Sequence, residues 1–376
     1  MTRILYYISG HGFGHAARSA EVIRALGEHD PDIRVLVATS APKRLFRNLP
    51  AIDGDVIDLD IGTGVVEGSS SLCVDRDATV ARLTRFLEGA EQVVAREVTR
   101  IRQENISLIV ADVPYLAGEI AHQARVASVA IGNFTWDWIY KPYLADSPNG
   151  QALLARIQEA YHKMSCYLRL PLSHDTDTFQ RTVDVPLITR SVRTSPDDTL
   201  QWLGVEQHDP RRRVLYAMRD TAYLDSLSQA AETMPDRLFL YFGAPGPAMP
   251  ENTQAVALDD RITFPDVLNV CDTVVSKLGY GTLADCIATR TPILYPPRFD
   301  FREDEVFAPI VPQHFRARQL SLDDFKSGNW LPHLQQLETL PQPPHSLPAN
   351  GAATCAKILT EMCHQRKELL SPDSTK

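Results

Sequence analysis

Two histidines stand among three glycines in the stretch GHGFGH, residues 10–15. A neutral imidazole titrates near about pH 6.5, so His11 or His15 can take a proton from a hydroxyl at physiological pH. Such a base works best beside a carboxylate that orients it and stabilises its cation. Asp112 closes the apolar run SLIVAD (107–112) and is expected at the same sheet edge. Each residue also has a plainer reading, His15 as a helix first-turn residue that bonds locally and Asp112 as a helix cap.

A second cluster lies in VVSKLGYGTLAD, residues 274–285. A strand runs into Lys277, then Gly279, Tyr280, Gly281 and Thr282 open a helix. Glycines let a backbone approach an anion, and a helix N-terminus offers free N–H groups and positive dipole. With the lysine and the threonine hydroxyl this suits a diphosphate; an ordinary strand–turn–helix fits the same letters. Glu303, Asp304 and Glu305 open the next helical stretch. They suit sugar hydroxyls, or simply a solvated first turn. In NFTWDWIY (133–140), Asn133, Trp136 and Asp137 offer an aromatic face and hydrogen-bonding groups for a hydroxylated acceptor. Tryptophans that pack an interface fit equally.

The glycines of the first loop do not make a dinucleotide site. That fingerprint needs G-x-G-x-x-G and an acid after the second strand. Here the spacing is G-x-G-x-G, and the second strand ends VLVATSAP. No C-x-x-C pair or zinc spacing occurs among the cysteines at 73, 166, 271, 286, 355 and 363, which read as free thiols of a reducing compartment. The DLD of residues 58–60 has the letters of a metal motif but is expected within a strand of the first half.

These residues need a scaffold that brings strand ends together. The chain has 376 residues, 44% hydrophobic and 23% charged, enough for two packed domains. A net charge of −9 argues against a nucleic-acid partner. The chain shows no leader and no run long enough to cross a bilayer, so a cytoplasmic protein is expected, with peripheral membrane contact left open. Apolar strand-like runs at 3–8, 33–39, 55–61, 107–112 and 126–133 alternate with helical patterns, one of them a long helix over 75–105. The rhythm restarts at 213–218, 237–243, 272–277 and 292–297. This predicts α/β architecture with parallel sheets covered on both faces. The expected domains are 1–195 and 196–345, with a last helix at 346–370 crossing back to the first.

Together these motifs resemble the GT-B superfamily of glycosyltransferases, in which two Rossmann-like domains face each other. GHGFGHAARSAEV is similar to the first-loop motif of the N-acetylglucosaminyltransferase that makes lipid II and of plant UDP-glycosyltransferases. A closer likeness is to the glycosyltransferase-like N-terminal region of plant L-arabinokinases and its free-standing bacterial relatives. It rests on YYISGHGFGHAARS, GNFTWDWIY, YLRLP, DVPLITR and SKLGYGT, over roughly residues 4–310. No kinase phosphate loop is present in this chain, so kinase activity is not carried over.

The resemblance implies a glycosyltransferase that needs no metal or other cofactor and uses a nucleoside-diphosphate sugar, UDP-linked by expectation, and a hydroxyl acceptor. It makes His15 the general base, aided by Asp112, with His11, Gly12, Asn133, Trp136 and Asp137 toward the acceptor. Lys277, Gly279, Tyr280, Gly281 and Thr282 would hold the diphosphate, the acids 303–305 the ribose or sugar, and Phe264 the base. The family's glycine loop after the first donor-domain strand is missing, since that position reads RVLYAMRDTAY; Arg219 is expected to take its place. The rival readings are a non-catalytic nucleotide-sugar or sugar-binding module and a nucleotide-sugar 2-epimerase.

Overall fold

The computed structural model describes residues 2–218, 222–243, 249–259, 261–344 and 346–370, with side chains to 364. It divides into two units. The first comprises Met1–Val66, Asp75–Thr189 and Pro348–Lys376; the second comprises Glu67–Val74 and Arg190–Leu347.

Each unit is built on a six-stranded sheet whose named neighbours pair in parallel. In the first, β1 (Thr2–Ile8), β2 (Ile33–Ala38), β3 (Leu108–Asp112), β4 (Ala127–Gly132), β5 (Cys166–Arg169) and β6 (Thr182–Asp184) lie in the order β2-β1-β3-β4-β5-β6. In the second, β7 (Arg212–Tyr216), β8 (Arg237–Phe242), β9 (Thr253–Val256), β10 (Thr273–Val275), β11 (Ile293–Tyr295) and β12 (Ala317–Gln319) run β9-β8-β7-β10-β11-β12. Ile4, Leu5, Tyr6 and Tyr7 of β1 are fully buried, as a strand covered on both faces must be. These are the two doubly wound parallel-sheet units the apolar runs predict.

In both sheets the strand order reverses beside the first strand, between β1 and β3 and between β7 and β10. Such reversals open a crevice at the carboxyl ends of the strands. The GHGFGH loop and Asp112 flank one reversal, and Lys277 follows β10 at the other.

Two expectations need correction. The strand expected over 55–61 is a single bridge, Ala38↔Ile57, and residues 58–60 carry no regular structure. The chain leaves the sheet there because Ile61, Gly62, Thr63, Gly64 and Val65 turn inward and are buried. The long helix over 75–105 is two helices, Arg76–Glu88 and Ala90–Gln103, parted at Gly89. Within residues 190–204, Pro196–Leu203 is a helix capped by Ser195, whose hydroxyl accepts the Asp198 N–H.

Residues 67–74 leave the first half of the chain and pack into the second unit. Leu72 joins the apolar core of Val214, Tyr216, Phe239 and Trp330, and its carbonyl accepts the Phe299 N–H at 2.7 Å. The last helix, Gly351–Leu370, packs on α1 (Gly14–His29) of the first unit. Among the described residues no helix is long and apolar enough to cross a membrane. The six cysteines are free thiols.

Candidate active site

The first site is built where β1 ends and α1 begins. Gly12 has φ 74°, a left-handed turn that glycine adopts without strain. The chain then enters α1, and His15 in its first turn is 7% exposed. Its Nδ1 lies 2.8 Å from Asp112 Oδ1. Asp112 is fully buried and holds three further bonds. Arg18 donates from Nε to Oδ2 at 2.7 Å and from Nη2 to Oδ1 at 2.5 Å, and the Ser19 hydroxyl donates to Oδ2 at 2.9 Å.

Burial pushes the Asp112 carboxyl up, but the charge and hydrogen bonds of Arg18, and then those of His15, outweigh it and hold it at about 2. Asp112 is therefore an ionised acceptor at neutral pH. That assigns the imidazole proton to Nδ1 and leaves the lone pair on Nε2. Arg18 Nη2 also approaches His15 Nδ1, at 3.1 Å, but two donors make no hydrogen bond, so this is a close approach only. An imidazole so oriented, with its lone pair on Nε2, has the geometry a general base requires.

Sequence reasoning missed Arg18. Its other anchor is Asn133, whose side-chain oxygen accepts from Arg18 Nη1 at 2.8 Å. Asn133 is 2% exposed and serves this network rather than presenting itself to an acceptor. The only signal for Arg18 was its place one turn beyond His15 on the same helix.

Trp136 has no exposed surface. It meets the His11 ring edge-on at 5.9 Å and stacks on Tyr140 at 5.2 Å, so it is a packing residue and offers no face to a ligand. His11 is fixed from its other side by Gly64, where an added Cβ would come within 2.5 Å of the imidazole. Asp137 is 5% exposed; its Oδ2 accepts from Thr178 at 3.2 Å and Gln158 at 3.4 Å.

In the second unit Lys277 follows β10. Its ammonium donates to the Ser71 carbonyl at 3.1 Å and lies 3.4 Å from Glu67 Oε1, both on the 67–74 segment. Gly279 is the N-cap of the helix Tyr280–Thr289, and no side chain caps that helix. A Cβ built on Gly279 meets nothing within 4 Å. The N–H groups of Tyr280, Gly281 and Thr282 head the helix, where a dipole favours an anion. The Tyr280 ring is buried and tilts against Phe307 at 6.5 Å.

The remaining donor-side residues are partnered locally. Arg298 donates to Asp304 Oδ1 from Nε at 2.7 Å and lies 3.4 Å from Glu303 Oε2, so a buried guanidinium ties these two acids to the preceding loop. Glu305 is more exposed and pairs with Arg302 at 3.3 Å. Phe264, 9% exposed, lies under the Arg190 guanidinium at 5.0 Å, and Arg190 in turn binds the buried Asp285 from Nε at 2.7 Å. Arg219 lies outside the described residues.

Two Rossmann-like units, each with a ligand-competent strand reversal, define the GT-B fold. Solved structures of that fold cover nearly all of the chain. The glycotransferase of kitacinnamycin superposes with TM-score 0.64 at 15% identity, covering 96% of this chain and 99% of its own. Phytolacca americana UGT2, complexed with UDP-2fluoro-glucose and pterostilbene, gives TM-score 0.61 at 12% identity over 99% and 96% of the two chains. Residues 2–149 match the family model described as Glycosyl transferase family 1. L-arabinokinase of Arabidopsis thaliana is 27% identical over 376 positions, covering 95% of this chain. The chain spans about a third, 34%, of that relative's length.

Proposed function

We propose that the protein transfers a sugar from a nucleoside-diphosphate sugar to an acceptor hydroxyl. The observation that carries this reading is the buried His15–Asp112 pair, Nδ1 to Oδ1 at 2.8 Å, set at the strand reversal of the first unit. The acceptor O–H proton passes to His15 Nε2. The acceptor oxygen bonds to the anomeric carbon as the bond from that carbon to the diphosphate oxygen breaks. Asp112 keeps the imidazole in the required tautomer and faces the imidazolium that forms.

The leaving diphosphate falls to the second unit. Lys277 supplies a cation, and the N–H groups at Tyr280, Gly281 and Thr282 with the Thr282 hydroxyl supply fixed donors. Gly279 leaves the backbone open on that side. This charge stabilisation is the role a divalent metal plays elsewhere, and we assign it to these groups. Glu305 is the carboxylate best exposed for ribose or sugar hydroxyls. A UDP-linked donor is supported by the fold neighbour complexed with UDP-2fluoro-glucose. Free thiols support a cytoplasmic setting.

The family model over residues 2–149 favours glycosyl transfer over epimerisation. One observation supports a binding module that does not turn over, namely the engagement of Glu303 and Asp304 by Arg298. Two measurements separate the readings. UDP is expected to raise the melting temperature of the wild type; no protection by any nucleoside diphosphate sinks donor binding. Transfer from UDP-sugars is expected to be lost in His15→Ala, while nucleotide binding without turnover in either form supports the binding module.

A further inference from the structure

Asp60 has no role in the reaction described above, yet it lies at the same sheet edge as His15. Residue 57 bridges to Ala38 at the end of β2, and the chain reaches Asp60 three residues later. Its Oδ2 accepts the Ser40 hydroxyl at 3.1 Å, and Ser40 itself is exposed. Gly10, the first glycine after β1, makes room for this pair. A Cβ there would come within 1.8 Å of Ser40 Oγ and 3.2 Å of Asp60 Oδ2. The other carboxylate oxygen, Oδ1, is buried without a hydrogen-bond partner. Of the following residues, Gly64 packs on His11, Gly62 lies against Pro114 and Tyr115, and Thr63 bonds Tyr140 at 3.1 Å.

The carboxyl thus sits between the GHGFGH loop and the end of β2; Oδ1 is closed off, and Oδ2, in an exposed hydrogen bond with Ser40, is the oxygen a ligand hydroxyl can reach. Burial raises it above the usual carboxylate range, against the pull of the Ser40 hydrogen bond, Arg82, the Gly62 N–H and His15. A nearby anion disfavours an anionic acceptor and favours one rich in O–H donors.

We infer that Ser40 and Asp60 form a recognition subsite for a polyhydroxylated acceptor, a sugar or a glycoside, holding a hydroxyl next to the one presented to His15. This rests on the glycosyl-transfer reading for the identity of the ligand as acceptor, but the binding itself does not require turnover. One acceptor hydroxyl donates to Asp60, and the exposed Ser40 hydroxyl completes the pair. A charge-assisted hydrogen bond of this kind is worth about tenfold or more in affinity.

The test uses the full chain without donor. Binding of the p-nitrophenyl glycosides of glucose, galactose and arabinose is followed by saturation-transfer NMR, with 4-nitrophenol as the single-hydroxyl control. The wild type is expected to bind at least one glycoside more tightly than 4-nitrophenol. Asp60→Asn is expected to weaken that glycoside about tenfold and Ser40→Ala about threefold, with 4-nitrophenol unchanged. Ser40→Ala, at an exposed position, carries the test if Asp60→Asn melts early. The inference is overturned if no glycoside binds the wild type, or if both variants bind as the wild type does. Glycoside binding that depends on Asp60, with no transfer from any of a panel of nucleoside-diphosphate sugars, defeats the transferase reading and leaves the subsite standing.

Discussion

Arg18 Nη2 lies 2.5 Å from Asp112 Oδ1, the same oxygen that takes the His15 Nδ1–H at 2.8 Å. One carboxylate therefore serves as both the orienter of the His15 imidazole and the counter-ion of a buried guanidinium. Asp112→Asn removes the charge while keeping the shape. The amide no longer fixes the Nδ1–H tautomer, so transfer is expected to fall by about 10²–10⁴-fold, the usual range for losing acid–base assistance. UDP affinity should stay unchanged, because Asp112 belongs to the other unit from Lys277. Transfer kinetics and UDP calorimetry on the same preparation check both halves.

Stability against acid should carry the same signature. Arg18 and His15, against the upward push of burial, hold the Asp112 carboxyl at about 2 in the folded protein, below the usual carboxylate value of about 3.9. A depressed carboxylate stabilises the fold at pH above the unfolded value, and that contribution is lost as pH falls toward the folded one. The shift corresponds to about 2 kcal/mol. Burial raises the Asp60 and Asp285 carboxyls, and they act in the opposite sense. The stability gap between wild type and Asp112→Asn, read from urea unfolding, is expected to narrow as pH drops from about 5 to about 2. A gap that stays constant over that window refutes the assignment.

The strand ends were legible because a parallel sheet puts them at one edge, so His15 and Asp112, 97 residues apart, could be paired from the apolar runs before them. The partners that complete the network were not. Arg18 reaches Asp112 and Asn133, 94 and 115 residues away, and nothing local marks an arginine as buried. Arg298 intercepts Glu303 and Asp304 through a loop turn that no helical or strand period encodes. The segment EGSSSLCV, residues 67–74, lies in the sequence between two parts of the first unit. Its Leu72, buried among Val214, Tyr216 and Trp330, and its Ser71 carbonyl, bonded by Lys277, make it part of the second unit.

That segment bears on Lys277, whose ammonium rests on the Ser71 carbonyl and near the Glu67 carboxylate. Lys277→Gln is expected to weaken UDP binding by about tenfold, as loss of one charge-assisted contact does. Glu67→Gln removes a competing anion and should tighten UDP modestly. Raising salt should weaken UDP less in Lys277→Gln than in the wild type, since fewer charges remain to screen. Calorimetric titration of the three proteins at two salt concentrations decides it; identical affinities place the diphosphate elsewhere.

Two glycine-to-alanine changes separate packing from ligand approach. At Gly64 a Cβ comes within 2.5 Å of the His11 ring, which Trp136 holds from another side, so Gly64→Ala must shift His11. A strained side chain of this kind costs about 1–3 kcal/mol, which the melting curve of the apo protein should register. At Gly279 the backbone has φ −103° and ψ 139°, open to any residue, and a Cβ meets nothing within 4 Å. Gly279→Ala should therefore keep stability within about 1 kcal/mol, the difference between Gly and Ala as N-cap. Its effect belongs to the ligand: a methyl group beside the N–H donors at 280–282 stands where a diphosphate oxygen would approach. UDP affinity is expected to fall at least about tenfold in Gly279→Ala and to stay unchanged in Gly64→Ala. Wild-type affinity in Gly279→Ala would remove the helix N-terminus from the donor site.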